Sequence, residues 1–265
     1  MNEIPKARFL WNMGRINGLV KLLYSNDELK PSALFQSSEG ARADILRAIV
    51  VFLYAALEDS LRTTARQRLA AATPNVLNSI PLVGNRADKF HLGELDAHRA
   101  KTVDQLIQES VEYYLSKESF GSCAAIDNLL IRMGLDPKPF KSLYPPLEQM
   151  MKRRHRIVHE ADLSTQTDTV SEAWNIADDW QLIMWLMAVP AFYYQLRMSL
   201  DAASPIERVK YEGLRKAMLR HVDFGKQLVA FPDVPPDQRL ETLRNIMNFL
   251  KSIAAILEEN RSGEL

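Results

Sequence analysis

The sequence predicts an all-α fold, and three observations support this prediction. Apolar residues recur at helical spacing through most of the chain, as in Phe9, Met13, Ile16 and Val20. No stretch alternates apolar and polar residues as a half-buried strand does, and no Asn-Gly hairpin turn occurs. Hydrophobic residues make up 47% of the 265, which is ample for a core and excludes disorder composition. We expect a helical bundle of five to six helices in residues 1–203 and a C-terminal helical hairpin in 204–265.

The first two helices are predicted over residues 8–24 and 41–71. The second has a broad apolar face, in which Glu58 and Asp59 are charged exceptions, with Arg62 one turn later. Glu58 and Arg62 are four residues apart, a pair that supports a helix locally by about 0.2–0.5 kcal/mol. The C-terminal end of this second helix is basic.

A loop bounded by Pro74 and Pro81 is expected to extend to about Gly93. Later helices are predicted at residues 96–117, 126–133, 145–160, 170–200, 204–228 and 240–257. Gly134 occupies the position that a left-handed helix C-cap favours, and Pro190 should kink the helix that contains it. The residues around Pro190 form the longest apolar run, Leu182 to Tyr194, which reads as a buried helix.

Charge and cysteine content exclude several classes of protein. With 33 basic and 33 acidic residues the net charge is zero, which argues against binding nucleic acid over the whole surface but allows a local basic site. A single cysteine, Cys123, excludes an internal disulfide framework or a cysteine zinc cluster, and indicates a reducing, cytoplasmic compartment. The first residues lack the pattern of a signal peptide. The longest apolar run is well short of the roughly 20 residues that span a bilayer, so we expect no membrane association.

A basic cluster with two histidines lies in the helix predicted at 145–160. At about 100° per residue, Arg154 falls in the middle of its apolar face, among Leu147, Met150, Met151, Ile157 and Val158. A charge there needs a partner, or the face must open onto a cleft or a second subunit. His155 and His159 are four residues apart on one edge and within reach of each other.

These residues carry a resemblance to the HEPN domain family. Arg154 to His159 resembles the R-x4-6-H motif of that family. The helix pattern from Phe120 to Met133, then Gly134-Leu135 and the motif helix, is similar to its RiboL-PSP-type branch, as is the segment from Ala48 to Leu61. The resemblance covers roughly residues 40 to 195, and residues 204–265 match nothing familiar.

The resemblance implies a helical bundle that dimerises and brings two motifs together in a cleft. Many members are metal-independent ribonucleases of toxin–antitoxin, anti-phage and CRISPR-linked systems, and others only bind. It therefore implies an endoribonuclease without cofactor or metal, acting on RNA as a homodimer, with an antitoxin or inhibitor protein as a further partner. The same family includes non-catalytic modules that mediate dimerisation or RNA or protein binding, which is the alternative for this chain.

The chemistry of RNA cleavage assigns roles to the motif. His159 is the main acid–base candidate, Arg154 the phosphate clamp, and His155 orients the phosphate or takes the second proton transfer. Lys152, Arg153 and Arg156 fall off the apolar face, where solvated charge is usual, but they could contact RNA phosphates.

Each of these residues also has a plain structural interpretation. Arg154 could form a buried salt bridge with Glu58 or Asp59, and a carboxylate there could also support the clamp. His159 could simply interact with the last carbonyls of its helix. His155 and His159 could ligate a metal, but no third ligand lies at a convincing position, and the other histidines are scattered: His91, His98 and His221.

Overall fold

The structure is a computed structural model. It describes residues 4–25, 38–83, 92–159 and 176–200, and the pairs 208–209, 212–213, 216–217 and 219–220. In these ranges the chain forms two 3-10 segments, Leu92–His98 and Lys138–Leu143, and no strand. The α-helices are α1 (Ile4–Ser25), α2 (Ser38–Ala70), α3 (Pro74–Leu77), α4 (Val103–Lys117), α5 (Cys123–Arg132), α6 (Tyr144–His159) and α7 (Ile176–Ser199). The predicted all-α fold is confirmed.

The chain divides into two compact units. The first combines Met1–Leu57 with Pro139–Leu265, and the second is Glu58–Lys138. Consequently the basic motif helix α6 belongs to the first unit, together with α1, α7 and the first half of α2. The second unit contains the end of α2 and the helices α3, α4 and α5.

Aromatic packing around α7 forms the core of the first unit. All side chains from Leu182 to Leu196 are buried, as expected for the longest apolar run in the sequence. The ring of Tyr193 stacks on Phe9 of α1, with centroids 3.8 Å apart, and Phe192 packs against Phe140 at 4.8 Å. Phe140 lies in the 3-10 segment that leads directly into α6, so the core anchors the start of the motif helix.

The helix α6 packs against α7, and its apolar side chains are buried within one chain. Leu147 and Met150 are fully buried and Met151 is 3% exposed. Each such side chain stabilises the fold by roughly 1.5–3 kcal/mol relative to exposure in water. Pro145 lies in the first turn of this helix, where a backbone N–H would have no partner within the helix, so the lack of one in proline costs no hydrogen bond.

The helix α4 begins later than the sequence predicted. We expected a start near Asp96, but residues 92–98 form a 3-10 segment and the α-helix begins at Val103. Thr102 sets this boundary with a capping box: its side chain accepts a hydrogen bond from the Gln105 backbone N–H, and its own N–H donates to the Gln105 side chain. Such a box satisfies two N–H groups that a helix start leaves unpaired.

The helix α5 ends as predicted at Gly134. This glycine has φ 75°, and its N–H donates to the Ile131 carbonyl at 2.9 Å. The N–H of Leu135 donates to the Leu130 carbonyl at 2.9 Å, which completes a Schellman motif. Leu130 and Leu135 are both buried, so the motif also turns the chain back into the core of the second unit.

Some predicted elements lie outside the described residues. The final helix expected at 240–257 and the domain boundary expected at 203 both fall there. The expected helix at 204–228 is described only at the four residue pairs between 208 and 220, which are helical. Positions 170–175, where we expected α7 to begin, are likewise not described, and the observed helix begins at Ile176.

Candidate active site at the C-terminal end of α6

The exposed side of α6 carries a stripe of basic and imidazole side chains. Lys152, His155, Arg156 and His159 are all exposed, and they follow the i, i+3, i+4, i+7 spacing of one helix face. Among them, the His155 and His159 rings lie 4.6 Å apart between centroids, tilted by 44°. The predicted proximity of the two histidines is thus confirmed. His159 is also the last residue of the helix.

Arg154 points away from this stripe. Its side chain is half-buried, and the central guanidinium carbon lies 4.7 Å from the ring centroid of Tyr54 on α2. Tyr54 is itself 6% exposed. The Nε atom of Arg154 is buried with no hydrogen-bond partner among the described residues. The predicted need for a partner is therefore met by an aromatic face, a cation–π contact, and not by the salt bridge that was the structural alternative.

The apolar face around Arg154 is buried within the chain over most of its length. Leu147, Met150 and Met151 are at most 3% exposed, so this part of the face needs no second subunit to cover it. The chain's own α7 covers them, and α2 supplies the ring that covers Arg154. Near the helix end the apolar side chain of Val158 is 48% exposed.

Among the additional basic residues, the sequence placed Arg153 wrongly. We expected it off the apolar face in solvent, but it is buried, with 8% of its surface exposed. The buried sector of α6 is therefore wider than its apolar stripe, and a long arginine stem can lie along apolar surface. Lys152 and Arg156 are exposed as expected and stay candidates for RNA contact.

Helical geometry separates Arg154 from His159. From Arg154 to His159 the direction of the side chain turns by about 140° around the helix axis and moves roughly 7.5 Å along it. The arginine consequently leaves the helix on the buried side, and both histidines leave it on the exposed side. One helix by itself does not direct the three side chains to one point.

Glu58 and Arg62 form a network within the second unit. The Arg62 Nη2 donates to the Glu58 carboxylate at 2.6 Å and to the Glu118 carbonyl at 2.8 Å, and Nη1 donates to the Leu115 carbonyl. The guanidinium also lies over the Phe120 ring, 4.8 Å from its centroid. The pair is more than the local helix support that its spacing predicted. A supporting role of Glu58, Asp59 and Arg62 at the motif stays a prediction.

Tyr54 is the residue of this site that the sequence did not reveal. It lies in α2, where Leu53, Ala56 and Leu57 are also buried, and an aromatic residue there is indistinguishable from ordinary core. The signal that could have found it is the predicted burial of Arg154, because a buried guanidinium commonly stacks on an aromatic ring.

Two further features of the described residues bear on function. Within these ranges no group of three or more His, Cys, Asp or Glu side chains is arranged to hold a metal ion. In the same part of the chain, no helix has both the length and the apolar content needed to cross a membrane.

Comparison with known proteins assigns the family. The sequence pattern of the family described as RiboL-PSP-HEPN matches residues 8–179, which include most of α1 and the whole of α2 to α6. No curated protein and no solved structure matches the chain. The match covers well over half of the sequence and contains the Arg154–His159 motif in its expected helix. The chain therefore belongs to the RiboL-PSP branch of the HEPN domain family.

Proposed function

We propose that this protein is an endoribonuclease that cleaves RNA without a metal ion, by attack of the 2′-hydroxyl on the adjacent phosphorus. The observation that carries the proposal is the exposed pair His155 and His159, whose rings lie 4.6 Å apart, on the same helix as an arginine whose donors are not used by an ion pair among the described residues. Membership of a family commonly associated with ribonucleases supports the same reaction class.

The residues can be assigned to the steps of that reaction. His159 takes the proton of the 2′-hydroxyl as its oxygen attacks phosphorus, and Arg154 neutralises the charge that develops on the phosphorane oxygens. His155 gives a proton to the departing 5′-oxygen, or orients the phosphate while a second imidazole does so. The products are a 2′,3′-cyclic phosphate and a free 5′-hydroxyl. DNA lacks the attacking hydroxyl and should not be cut.

We further propose that the active form is a homodimer. Arg154 and His159 leave α6 about 140° apart, so a second copy related by a two-fold axis is a simple way to direct complementary groups at one phosphate. The exposed Val158, next to the histidines at the helix end, is an apolar side chain that such a contact would cover. A cytoplasmic role in toxin–antitoxin or anti-phage defence, held in check by an antitoxin or inhibitor protein, completes the proposal.

The test is cleavage of a short RNA by the purified full chain in EDTA, with the product ends identified by mass spectrometry. Arg154→Ala and His159→Ala should each lower the cleavage rate by about 10²–10⁴-fold. His155→Ala should also lower it, and His98→Ala, a histidine outside the motif, should not. A substrate with one 2′-deoxy sugar at the cleaved position should resist. Unchanged cleavage in both Arg154→Ala and His159→Ala would contradict the assignment.

The alternative is a non-catalytic helical module that uses this surface for dimerisation or for an RNA or protein partner. The specific observation in its favour is the packing of Arg154 on Tyr54, since a half-buried arginine also stabilises a fold. On this alternative no RNA product forms under any condition, and Arg154→Ala changes stability or assembly alone. Thermal unfolding and sedimentation of the same variants distinguish the two functions.

A further inference from the structure

We infer that Tyr54 is a positioning residue, which holds the Arg154 guanidinium by its face and leaves its N–H edge available for a phosphate. This inference rests on the ribonuclease function proposed above and deepens it, since it names the residue that orients the clamp. Its basis is a contrast between two arginines of this chain that both lie over aromatic rings, Arg62 over Phe120 and Arg154 over Tyr54.

Arg62 shows what a structural arginine does in this protein. Its guanidinium carbon is 4.8 Å from the Phe120 centroid. Its Nε, Nη1 and Nη2 atoms all donate hydrogen bonds, to the Glu58 carboxylate and to the carbonyls of Leu115 and Glu118. An arginine with its edge bound in this way has few donors left for a ligand. Its charge is also compensated by the adjacent carboxylate.

Arg154 has the same contact with the face of a ring, but without the hydrogen bonds that Arg62 makes at its edge. The guanidinium carbon is 4.7 Å from the Tyr54 centroid, and the buried Nε has no hydrogen-bond partner among the described residues. Arg197 also has a buried Nε without such a partner, so the distinguishing feature of Arg154 is its contact with the ring face of Tyr54. The chain supports the plane of the cation and leaves its charge uncompensated by a carboxylate in the described residues.

Tyr54 is suited to hold a fixed direction. It is 6% exposed and lies on α2 among Leu53, Ala56 and Leu57, which are at most 1% exposed. Stacking on a ring fixes a guanidinium plane, and the five N–H donors that radiate within that plane match the oxygens of a phosphate. A carboxylate partner would fix the same group but would occupy those donors. The ring is therefore the support that is compatible with a phosphate clamp.

The test compares ring and non-ring substitutions in the full chain with RNA cleavage as the readout. Tyr54→Phe keeps the aromatic face and should cleave within about twofold of wild type, whereas Tyr54→Leu should lower kcat by about ten- to hundredfold. The KM should change little, because Arg154 acts on charge that develops in the transition state. The matched control is Phe52→Leu: Phe52 lies under Arg15 at the same 4.7 Å on the same helix, and its loss should leave kcat unchanged.

A double variant separates positioning from general stability. Arg154→Ala with Tyr54→Leu should cleave no more slowly than Arg154→Ala alone, since the ring acts only through the arginine. If Tyr54→Leu cleaves like wild type while Arg154→Ala is inactive, the inference about Tyr54 is overturned and the proposed function stands. If Arg154→Ala itself cleaves normally, the role of Tyr54 in cleavage fails, and if His159→Ala also cleaves normally, the proposed function fails with it.

A measurement on the wild-type protein keeps the contact testable even if Tyr54→Leu does not fold. Protons stacked on a ring face are shielded, so the δ-methylene protons of Arg154 should resonate upfield in the NMR spectrum, with their signals identified by Arg154→Lys. Tyr54→Met, which fills the volume without a π face, should return those protons to the positions of exposed arginines. Absence of the upfield shift in wild type would overturn the inference.

Discussion

Replacing Arg62 by alanine removes a connection between α2 and the C-terminal end of α4. The last carbonyls of an α-helix lack partners within the helix, and Arg62 donates to one of them, that of Leu115, and to the carbonyl of the C-cap residue Glu118. It thereby caps α4 from another helix and places a positive charge at the negative end of its dipole. The same side chain binds Glu58 and covers Phe120.

The contacts of Arg62 set the size of the effect. Hydrogen bonds from a charged donor contribute roughly 1.5–3 kcal/mol each, and a cation–π contact at a partly exposed site about 0.5–1 kcal/mol. The ion pair with Glu58 is part of the same contribution, because its Nη2–Oε1 contact at 2.6 Å is one of these hydrogen bonds. These contributions share one side chain and are not additive, so we expect Arg62→Ala to lower the free energy of unfolding by about 2–4 kcal/mol.

Urea unfolding followed by far-UV circular dichroism measures this free energy. Arg99→Ala is the control, because Arg99 and Asp96 form an i,i+3 pair whose side chains are 83% and 69% exposed. Its loss should change the free energy of unfolding by less than about 0.5 kcal/mol. The loss of unfolding free energy in Arg62→Lys should lie between those of Arg99→Ala and Arg62→Ala. Lysine keeps the charge but lacks the planar fork that reaches a carboxylate and two carbonyls at once.

A loss below about 1 kcal/mol in Arg62→Ala would refute this account. Such a result would mean that Arg62 acts only as the local i,i+4 partner of Glu58, which is what its spacing in the sequence suggests. An equal loss in Arg62→Lys and Arg62→Ala would instead show that the fork geometry, and not the charge alone, carries the stabilisation.

Two further predictions concern the second unit. Burial, and next a hydrogen bond to Glu118, raise the pKa of Tyr114 to about 12, so the neutral phenol is favoured in the folded state. Its contribution to stability is therefore complete below the unfolded value of about 10 and is lost as pH rises from there to about 12. In Tyr114→Phe the free energy of unfolding should fall less steeply with pH between about 10 and 12 than in wild type. An equally steep fall would contradict the assignment. Gly134→Ala should lower the free energy of unfolding by about 1–2 kcal/mol, because φ is 75° there and the added methyl group contacts nothing. Gly134→Asn, which tolerates that φ, should lose less in the same urea titration, and an equal loss would point to a cause other than backbone conformation.

The positions of the helices could be predicted where the sequence signal is local. The end of α5 at Gly134 followed from one residue type, since glycine alone has no Cβ penalty at positive φ. The start of α4 was misplaced because the capping box at Thr102 competes with an apolar pattern that continues on its N-terminal side. Local hydrogen bonding decided that boundary against the periodicity.

The motif itself was visible in the sequence, but the surroundings of its residues were not. The spacing of His155 and His159 fixes their proximity on any α-helix, and the rings are indeed 4.6 Å apart. Arg153 and Arg154 are adjacent and chemically identical, so their burial depended on which helices cover α6. The structure buries both to different degrees and leaves the histidines exposed.

The sequence alone determined the all-α fold, the helix that carries the motif and the pairing of the two histidines, because periodicity and i,i+4 spacing act within one helix. Only the tertiary structure decided that Tyr54 lies under Arg154 and that Arg62 reaches the carbonyl of Leu115, 53 residues away. Such contacts depend on how helices distant in sequence pack together. A buried tyrosine and an i,i+4 arginine look the same in the sequence whether or not that packing gives them a second role.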